Sequence, residues 1–127
     1  EGWYWDLNDR NRAFARRFFE RTKRMPGMVQ AGTYSSVLQY LKAVEATGSD
    51  DADVVIAYLK KVRINDIFAS DGYVRQDGRM VHDMYLFQAK KPEESKAPWD
   101  YYSLKSTIPA EEAFMPISQS KCSLVRN

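Results

Sequence analysis

Apolar residues in the first half of the chain recur at the three- and four-residue spacing of amphipathic helices. A first helix is predicted from Asn8 or Asp9, either of which can cap it, to about Arg24. The sequence RMPGM ends this helix, because a residue that precedes proline is disfavoured in the helical region. The arginines take the solvent face, and the narrow apolar stripe consists of Phe14, Ala15, Phe18 and Phe19.

Two further helices are predicted before the chain changes character. The second extends from about Thr33 to Ala46 and stops at Gly48, a residue suited to the left-handed position after a helix. The third is predicted over residues 49–63, with acidic side chains in its first turn and basic ones in its last, which complement the helix dipole. The apolar face of the second helix comprises Tyr34, Val37, Leu38, Leu41 and Val44, and that of the third comprises Val55, Tyr58, Leu59 and Val62.

Beyond the third helix the pattern becomes typical of strands. Residues 73–91 predict a β-hairpin around Asp77 and Gly78, which form a two-residue turn of the primed type. Its second strand, at about 80–89, has apolar side chains on both faces, so we expect both faces to be covered. Residues 99–108 predict a further strand.

The remaining segments connect or end these elements. Residues 2–6, GWYWD, predict a short strand or an extended crossing. Residues 90–98 predict a polar loop, and the tail from Pro109 predicts one helical turn, AEEAF, followed by irregular chain. No repeat, low-complexity tract or internal domain boundary is visible, so residues 1–127 are treated as one unit.

Three amphipathic helices followed by one hairpin leave a wide apolar surface without a partner. Burial of one Leu or Val side chain is worth roughly 1.5–3 kcal/mol, so three such faces left in water would be untenable. We therefore expect the covering sheet to come either from chain upstream of Glu1 or from a second copy of this chain. Because the chain starts at Glu1 with an apolar aromatic run, we interpret it as a mature or truncated product.

Composition narrows the possible functions. The 127 residues are 44 % hydrophobic and 28 % charged, which is ordinary for one soluble globular domain. No apolar run approaches the roughly 20 residues of a membrane span, and no basic-then-apolar leader is seen at the N-terminus. The net charge of +2 and the core-like spacing of the phenylalanines on the basic first helix argue against nucleic-acid binding.

The sequence offers little catalytic or metal-binding chemistry. His82 is the only histidine, and its neighbour Asp83 points to the opposite face of a strand, so a structural role is favoured over that of a catalytic base. No Gly-rich phosphate loop or nucleophile elbow occurs. His82 and Cys122 do not make a zinc site, and DDAD at 50–53 is interpreted as helix capping. We therefore expect no enzyme, no metal site and no cofactor.

Four aromatic residues mark places where the chain enters or begins an element: Trp3, Tyr4, Trp5 and Tyr34. A tyrosine at a helix start can direct its ring into a cleft while the following turns anchor the helix. Packing of Tyr34 in a core accounts for its position equally well, so both interpretations stay open.

The ordered set of segments resembles a known family. The chain resembles the C-terminal portion of a type I periplasmic solute-binding protein of the leucine/isoleucine/valine-binding branch, in the segments FFERTKRMPGMVQAGTYSSVLQYLKAVEATGSDDADVVIAYLKKV, RQDGRMVHDMYLFQAKK and WDYY. The resemblance covers essentially the whole chain. It implies an α/β fold that is a fragment of two lobes joined by three crossing strands at a hinge. Residues 1–63 would supply the crossing strand and helices of the first lobe, and residues 64–127 the hairpin, hinge and tail.

The same resemblance implies a receptor without catalysis. Such proteins are periplasmic receptors of ABC importers, so it implies a leader absent from this chain, a membrane permease as partner, and hinge closure around the ligand. The implied ligand is an amino acid or a small carboxylate, aromatic ones included. Tyr34 matches the aromatic that lines the cleft from the first lobe, and Trp5 near the crossing could line it too. Cys122 could pair with a cysteine in the missing part of the receptor chain.

A second interpretation is a self-associating fragment with no ligand of its own. Two copies would exchange hairpins or pair strand edges, and the resulting homodimer would hide the helix faces. Cys122 cannot close a disulfide within one copy, so it is either a free thiol or half of a bond to a sulfur elsewhere.

Overall fold

The computed structural model describes residues 1–123 and 125 of the chain. Three helices come first and the strands second, in the predicted order, and a fourth helix of one turn follows the last strand. One 3₁₀ turn, Pro92–Glu94, lies between the last two strands, and another, Ile117–Gln119, lies near the end of the chain. Among the residues described, no helix combines the length and the apolar character needed to cross a membrane. The helices are α1 (Asp9–Thr22), α2 (Met28–Thr47), α3 (Ala52–Leu59) and α4 (Ala110–Ala113), and the strands are β1 (Arg63–Ile64), β2 (Gly72–Val74), β3 (Met80–Val81), β4 (Met84–Ala89) and β5 (Tyr102–Ile108).

The first helix lies close to its predicted bounds. The Asn8 side chain accepts a hydrogen bond of 3.0 Å from the Asn11 N–H, which caps the helix start. The helix ends at Thr22 rather than at about Arg24, because Lys23 adopts a left-handed φ of 58° and closes the last turn.

The second helix begins at Met28, five residues before the predicted start at Thr33. The Gly27 N–H donates a 3.0 Å hydrogen bond to Oε1 of Gln30, so the chain is capped directly after Pro26. Gly32, the residue just before the predicted start, therefore lies inside the helix.

The end of the second helix is as predicted, since the residue at position 48 adopts a φ of 66°. The third helix occupies Ala52–Leu59, only the middle of the predicted range 49–63. Asp51 caps its start by accepting two backbone N–H groups. The chain then turns into β1, where the buried Ile64 pairs with β2.

The strands β1, β2 and β3 form an antiparallel sheet in that order, and the hairpin lies where it was predicted. The predicted primed turn is wrong: Gly78 has a positive φ of 80° but Asp77 does not, whereas a primed turn needs one at its first central residue. A 2.8 Å backbone hydrogen bond from Arg75 to Arg79 closes a three-residue loop instead. The Asp77 carboxylate stabilises this wider loop by accepting from the Arg75 side chain and the Arg79 N–H.

The single strand predicted at 80–89 is divided between two sheets. β3 completes the first sheet, and β4 pairs with β5 in an antiparallel ribbon that has an irregularity between Leu86 and Phe87. The strand predicted at 99–108 is confirmed as β5. The expected coverage of both strand faces is not seen in the part of the chain that the structure describes, where Leu86 is 54 % exposed.

The buried core connects the start of the chain to its middle. Residues 2–6 are extended at first but form no regular strand, and the N and O atoms of Glu1 bond to the backbone of Tyr85 at 3.0 and 2.8 Å. Trp3 donates a 2.7 Å hydrogen bond from Nε1 to the carbonyl of Ile67. The core cluster consists of Trp3, Phe14, Ala31 and Ile67, with Trp5, Phe18 and Phe68 packed against it.

The second helix buries small side chains and exposes large ones. Ala31 and Ala43 are fully buried, whereas Val37 and Leu41 are 53 % and 57 % exposed. A helix of a complete domain normally buries its large apolar side chains. The expected apolar surface without a partner is therefore present on this helix.

Candidate functional site

A cavity lined by aromatic rings lies between the start of α2 and the β4–β5 ribbon. Its volume is about 600 Å³, within the usual range of small-molecule pockets. We call it the aromatic cavity. Its aromatic lining consists of Trp3, Tyr4, Trp5, Phe87, Trp99, Tyr101 and Tyr102.

The carbonyl oxygen of Trp99 ties the two ends of the cavity wall together. Tyr4 donates to it from its hydroxyl at 2.9 Å, and Trp5 donates from Nε1 at 3.0 Å. The Tyr4 hydroxyl in turn accepts the Tyr101 N–H at 3.1 Å. Tyr4 and Trp5, in the first segment (residues 1–6), therefore hold the loop that precedes β5.

Aromatic packing among the lining residues also holds this wall together. The ring of Tyr4 lies 5.3 Å from the ring of Phe87 and 5.4 Å from that of Tyr102, with both pairs inclined rather than parallel. Such inclined arrangements are the favoured ones for aromatic pairs. The ribbon and the first segment thus form one continuous wall.

An ion pair closes the loop between β4 and β5. The Lys90 ammonium donates to the Asp100 carboxylate, and both side chains are largely buried. This hydrogen bond raises the pKa of Lys90 and lowers the pKa of Asp100, which also accepts the Lys96 N–H. Both groups therefore stay charged at neutral pH, and the loop keeps its shape.

The opposite wall of the cavity is the connection between α1 and α2, residues 25–30. The Met28 sulfur accepts the Gly2 N–H at 3.0 Å, which fixes this connection to the first segment. Of the residues that the structure describes, Glu1 is the one charged residue that lines the cavity, and no Lys or Arg among them does. This wall can therefore contact the apolar or aromatic part of a ligand, while groups for an anionic part are not supplied by the lining residues.

The two residues predicted to bind ligand occupy different hollows. Trp5 lines the aromatic cavity. Tyr34 is 40 % exposed, and its ring lies 4.9 Å from the ring of Phe14 in a separate hollow of about 210 Å³ between α1 and α2. That hollow is also lined by Arg17 and Arg21. The structure therefore does not bring Trp5 and Tyr34 into one site.

Of the seven aromatic residues that line the cavity, Trp5 alone was predicted to bind ligand. Trp99, Tyr101 and Tyr102 are among the six that were not. Their signal in the sequence is the aromatic run WDYY, and this run is as typical of a strand as of a ligand-binding wall. Their position in the cavity depends on the contact of Trp99 with Tyr4 and Trp5, which are more than 90 residues away in sequence.

His82 has the structural role favoured by the sequence. It is buried, its Nδ1 donates to the Asp83 carbonyl at 2.7 Å, and its ring packs edge-on between Phe68 and Phe114. Within residues 1–123 and 125, no three His, Cys, Asp or Glu side chains are grouped to hold a metal ion.

Cys122 lies half-buried in a polar hollow of about 460 Å³ beside the hairpin turn. Its Sγ is 4.0 Å from the carbonyl oxygen of Asp77. The Arg75 guanidinium forms a bidentate pair with the Asp77 carboxylate and holds the pKa of that carboxyl well below its usual range. The expected pairing of Cys122 with a cysteine outside this chain stays a prediction.

Comparisons with known proteins identify similar chains. A family model described as periplasmic binding protein matches residues 1–96. A comparison with curated proteins gives no match. The solved structure of a periplasmic binding protein from Burkholderia mallei is 51 % identical, with a TM-score of 0.95 over 99 % of this chain and 33 % of that chain.

Two further solved structures agree with this match. A branched-chain amino acid ABC transporter periplasmic ligand-binding protein from Burkholderia xenovorans LB400 is 50 % identical, with a TM-score of 0.93 over 97 % of this chain and 33 % of that one. An amino acid ABC transporter substrate-binding protein from Pseudomonas fluorescens Pf-5 is 18 % identical, with a TM-score of 0.81 over 95 % of this chain and 32 % of that one, and shows the fold alone. The chain thus spans about a third of the length of these relatives. The fold expected from the resemblance, a fragment of a periplasmic-binding-protein fold, is confirmed.

Proposed function

Because this chain belongs to the periplasmic binding protein family, we propose that it forms the C-terminal part of a ligand-binding receptor that serves an ABC importer. The ligand is an amino acid or a small carboxylate, aromatic ones included. The receptor works in the periplasm, binds its ligand without chemical change, and delivers it to a membrane permease.

The aromatic cavity is the observation that carries this proposal. It joins Trp5, at the start of the chain, to Trp99, near its end, around an open volume of about 600 Å³. Such a concave, largely apolar volume suits one wall of a ligand cleft. Trp5 contacts the ligand from this wall. Tyr34 lies in a separate hollow, but Val29 and Gln30 line both the aromatic cavity and a hollow beside Tyr34, so Tyr34 contacts the ligand from the helical side when the upstream lobe completes the cleft.

Hinge closure is the proposed mechanism. Residues 1–63 belong with the first lobe, and residues 64–127 contain the hairpin, the hinge and the tail. The backbone hydrogen bonds between Glu1 and Tyr85 support this division, because they hold the first segment beside β4. A ligand that contacts both lobes stabilises the closed state, which is the state the permease recognises.

Calorimetry of two proteins tests the proposal. The full receptor, which contains this chain and its upstream lobe, is titrated with leucine, isoleucine, valine, phenylalanine and benzoate, and so is the 127-residue chain. We expect the full receptor to bind at least one of these compounds and the short chain to bind it weakly or not at all, because one wall supplies few contacts. Equally tight binding by the short chain would contradict the proposal, and so would failure of the full receptor to bind any of them.

A self-associating fragment is the second candidate. The exposed large side chains of α2, among them Val37 and Leu41, favour it, because an apolar face of this kind needs a cover. A second copy would supply that cover if the upstream lobe does not. Light scattering separates the two, since a strictly monomeric 127-residue chain that melts cooperatively would exclude self-association.

A further inference from the structure

The backbone of Trp99 adopts a conformation that bulky side chains avoid. Its φ is 71°, and it is one of three non-glycine residues with positive φ among those described. The other two have local explanations: Lys23 ends α1, and Asp71 is a short polar residue whose N–H donates to Asn65 in a tight loop. Glycine or asparagine would suit position 99 better than tryptophan does.

Hydrogen bonds to the Trp99 carbonyl maintain this conformation. Tyr4 and Trp5 donate to that oxygen from their side chains, and the Tyr101 N–H lies 3.0 Å from it. These donors fix the peptide plane after Trp99 and therefore the direction in which its indole leaves the backbone. A strained residue persists only where its surroundings determine it in this way.

Packing alone does not explain why position 99 carries an indole side chain. Trp99 is half-buried, lines the aromatic cavity, and packs edge-on against Tyr101, which is itself 52 % exposed. The core cluster of the chain does not include it. The carbonyl of any residue could accept the hydrogen bonds from Tyr4 and Trp5, so those bonds do not require a tryptophan.

We propose that the Trp99 indole is a ligand-contacting group, aimed into the aromatic cavity by the hydrogen bonds of Tyr4 and Trp5 to its carbonyl, and that it packs on the apolar or ring portion of the ligand. This inference rests on the proposed function and adds to it a specificity-determining residue from the loop between β4 and β5. Tyr4 acts as a positioning residue, since its hydroxyl reaches only the backbone of that loop.

Glycine at position 99 separates ligand contact from a structural role. In the full receptor, Trp99→Gly removes the indole but relieves the left-handed backbone, so we expect the melting temperature to be kept. Ligand affinity, measured by calorimetry with leucine, phenylalanine and benzoate as probes, falls about tenfold or more. Lys23→Gly is the matched control, because it makes the same backbone change at a φ of 58° away from the cavity, and its affinity is unchanged.

Trp99→Phe supplies a second measurement that does not depend on the glycine variant. It keeps a ring at the site, so its affinity lies between those of the unsubstituted receptor and Trp99→Gly, and the ligand-induced change in tryptophan emission shrinks. An unchanged dissociation constant in Trp99→Gly, or an unchanged emission signal in Trp99→Phe, overturns the inference while leaving the proposed function intact. Absence of binding by the unsubstituted receptor contradicts the proposed function and this inference with it.

Discussion

Ser35 donates a 2.6 Å hydrogen bond to the carboxylate of Asp66, which joins the buried side of α2 to the loop after β1. Gln39 donates to the same oxygen at 2.8 Å, and the other oxygen accepts the backbone N–H groups of Phe68 and Ala69. One side chain thus satisfies four donors. The loop that carries the core residue Ile67 is held against the helix by this carboxylate.

Asp66→Asn should destabilise the receptor. An amide offers one acceptor oxygen in place of two and adds donors of its own, so at least one of the four donors loses its partner. We expect the free energy of unfolding to fall by about 1–3 kcal/mol, measured by urea denaturation. Asp50→Asn, at an exposed position outside this network, is the control and should change stability by no more than about 0.5 kcal/mol.

Low pH should remove the contribution that the Asp66 carboxylate makes to stability. Burial by itself raises the pKa of Asp66, but the hydrogen bonds from Ser35, Gln39 and the loop backbone outweigh it, and the pKa is lowered. The carboxylate therefore stabilises the fold above the unfolded-state pKa of about 3.9, and this stability is lost as pH falls through the lower folded-state pKa. The difference in melting temperature between the unsubstituted receptor and Asp66→Asn should be constant above about pH 5 and shrink below pH 4. A difference that stays the same down to pH 2 would contradict this assignment.

The sequence predicts the helices well because their signal is local. Apolar spacing placed all three, and the glycine at position 48 marked the end of α2 correctly. The start of α2 was missed, since it depends on one hydrogen bond between Gly27 and the Gln30 side chain. The division of the strand at 80–89 was missed as well, because both halves carry the same apolar pattern and only their partners differ.

The candidate site was harder to predict than the fold. Trp5 lines the aromatic cavity, and its role in ligand binding stays a prediction. Trp99 was not singled out, because its role depends on a strained φ and on donors from the opposite end of the chain. Neither the φ of Trp99 nor the identity of these distant donors can be inferred from the residues next to it in the sequence. A single sequence gives little information about contacts between residues so far apart along the chain.

Trp3→Phe tests the link between the first segment and the core. Trp3 is 2 % exposed, its Nε1 donates to the Ile67 carbonyl, and its ring packs edge-on against Phe14 at 6.0 Å. The smaller ring leaves a void and an unpaired buried carbonyl, so we expect a loss of about 2–4 kcal/mol in the free energy of unfolding. Urea denaturation measures this loss. By the same method, Tyr101→Phe, which alters an exposed ring, should cost no more than about 0.5 kcal/mol.

Two glycine substitutions should have opposite effects. A Cβ at Gly72 would lie 2.6 Å from the Met80 methyl and 2.9 Å from the buried Cβ of Ala69, so Gly72→Ala should cost about 1–3 kcal/mol. A Cβ at Gly32 would meet the Phe68 ring at an ordinary 3.5 Å inside α2. Gly32→Ala should therefore be neutral or stabilise by up to about 1 kcal/mol, because alanine is the better helix former. Thermal melts of the two variants check the sign, and a stabilising Gly72→Ala would show that the sheet can shift.

Leu41→Glu tests what covers the exposed face of α2. Leu41 is 57 % exposed in this chain, and a glutamate at a solvated helix position would change stability by no more than about 0.5 kcal/mol. If the upstream lobe packs on this face in the full receptor, the same substitution buries a charge against apolar side chains and costs about 2–4 kcal/mol. Lys42→Glu makes a charge change at the next residue, which is exposed and turned away from the face. We expect urea denaturation of the full receptor to show a large loss for Leu41→Glu and almost none for Lys42→Glu. Two equally mild variants would mean that the upstream lobe leaves this face in water, and the large side chains of α2 would then require a second copy of the receptor to cover them.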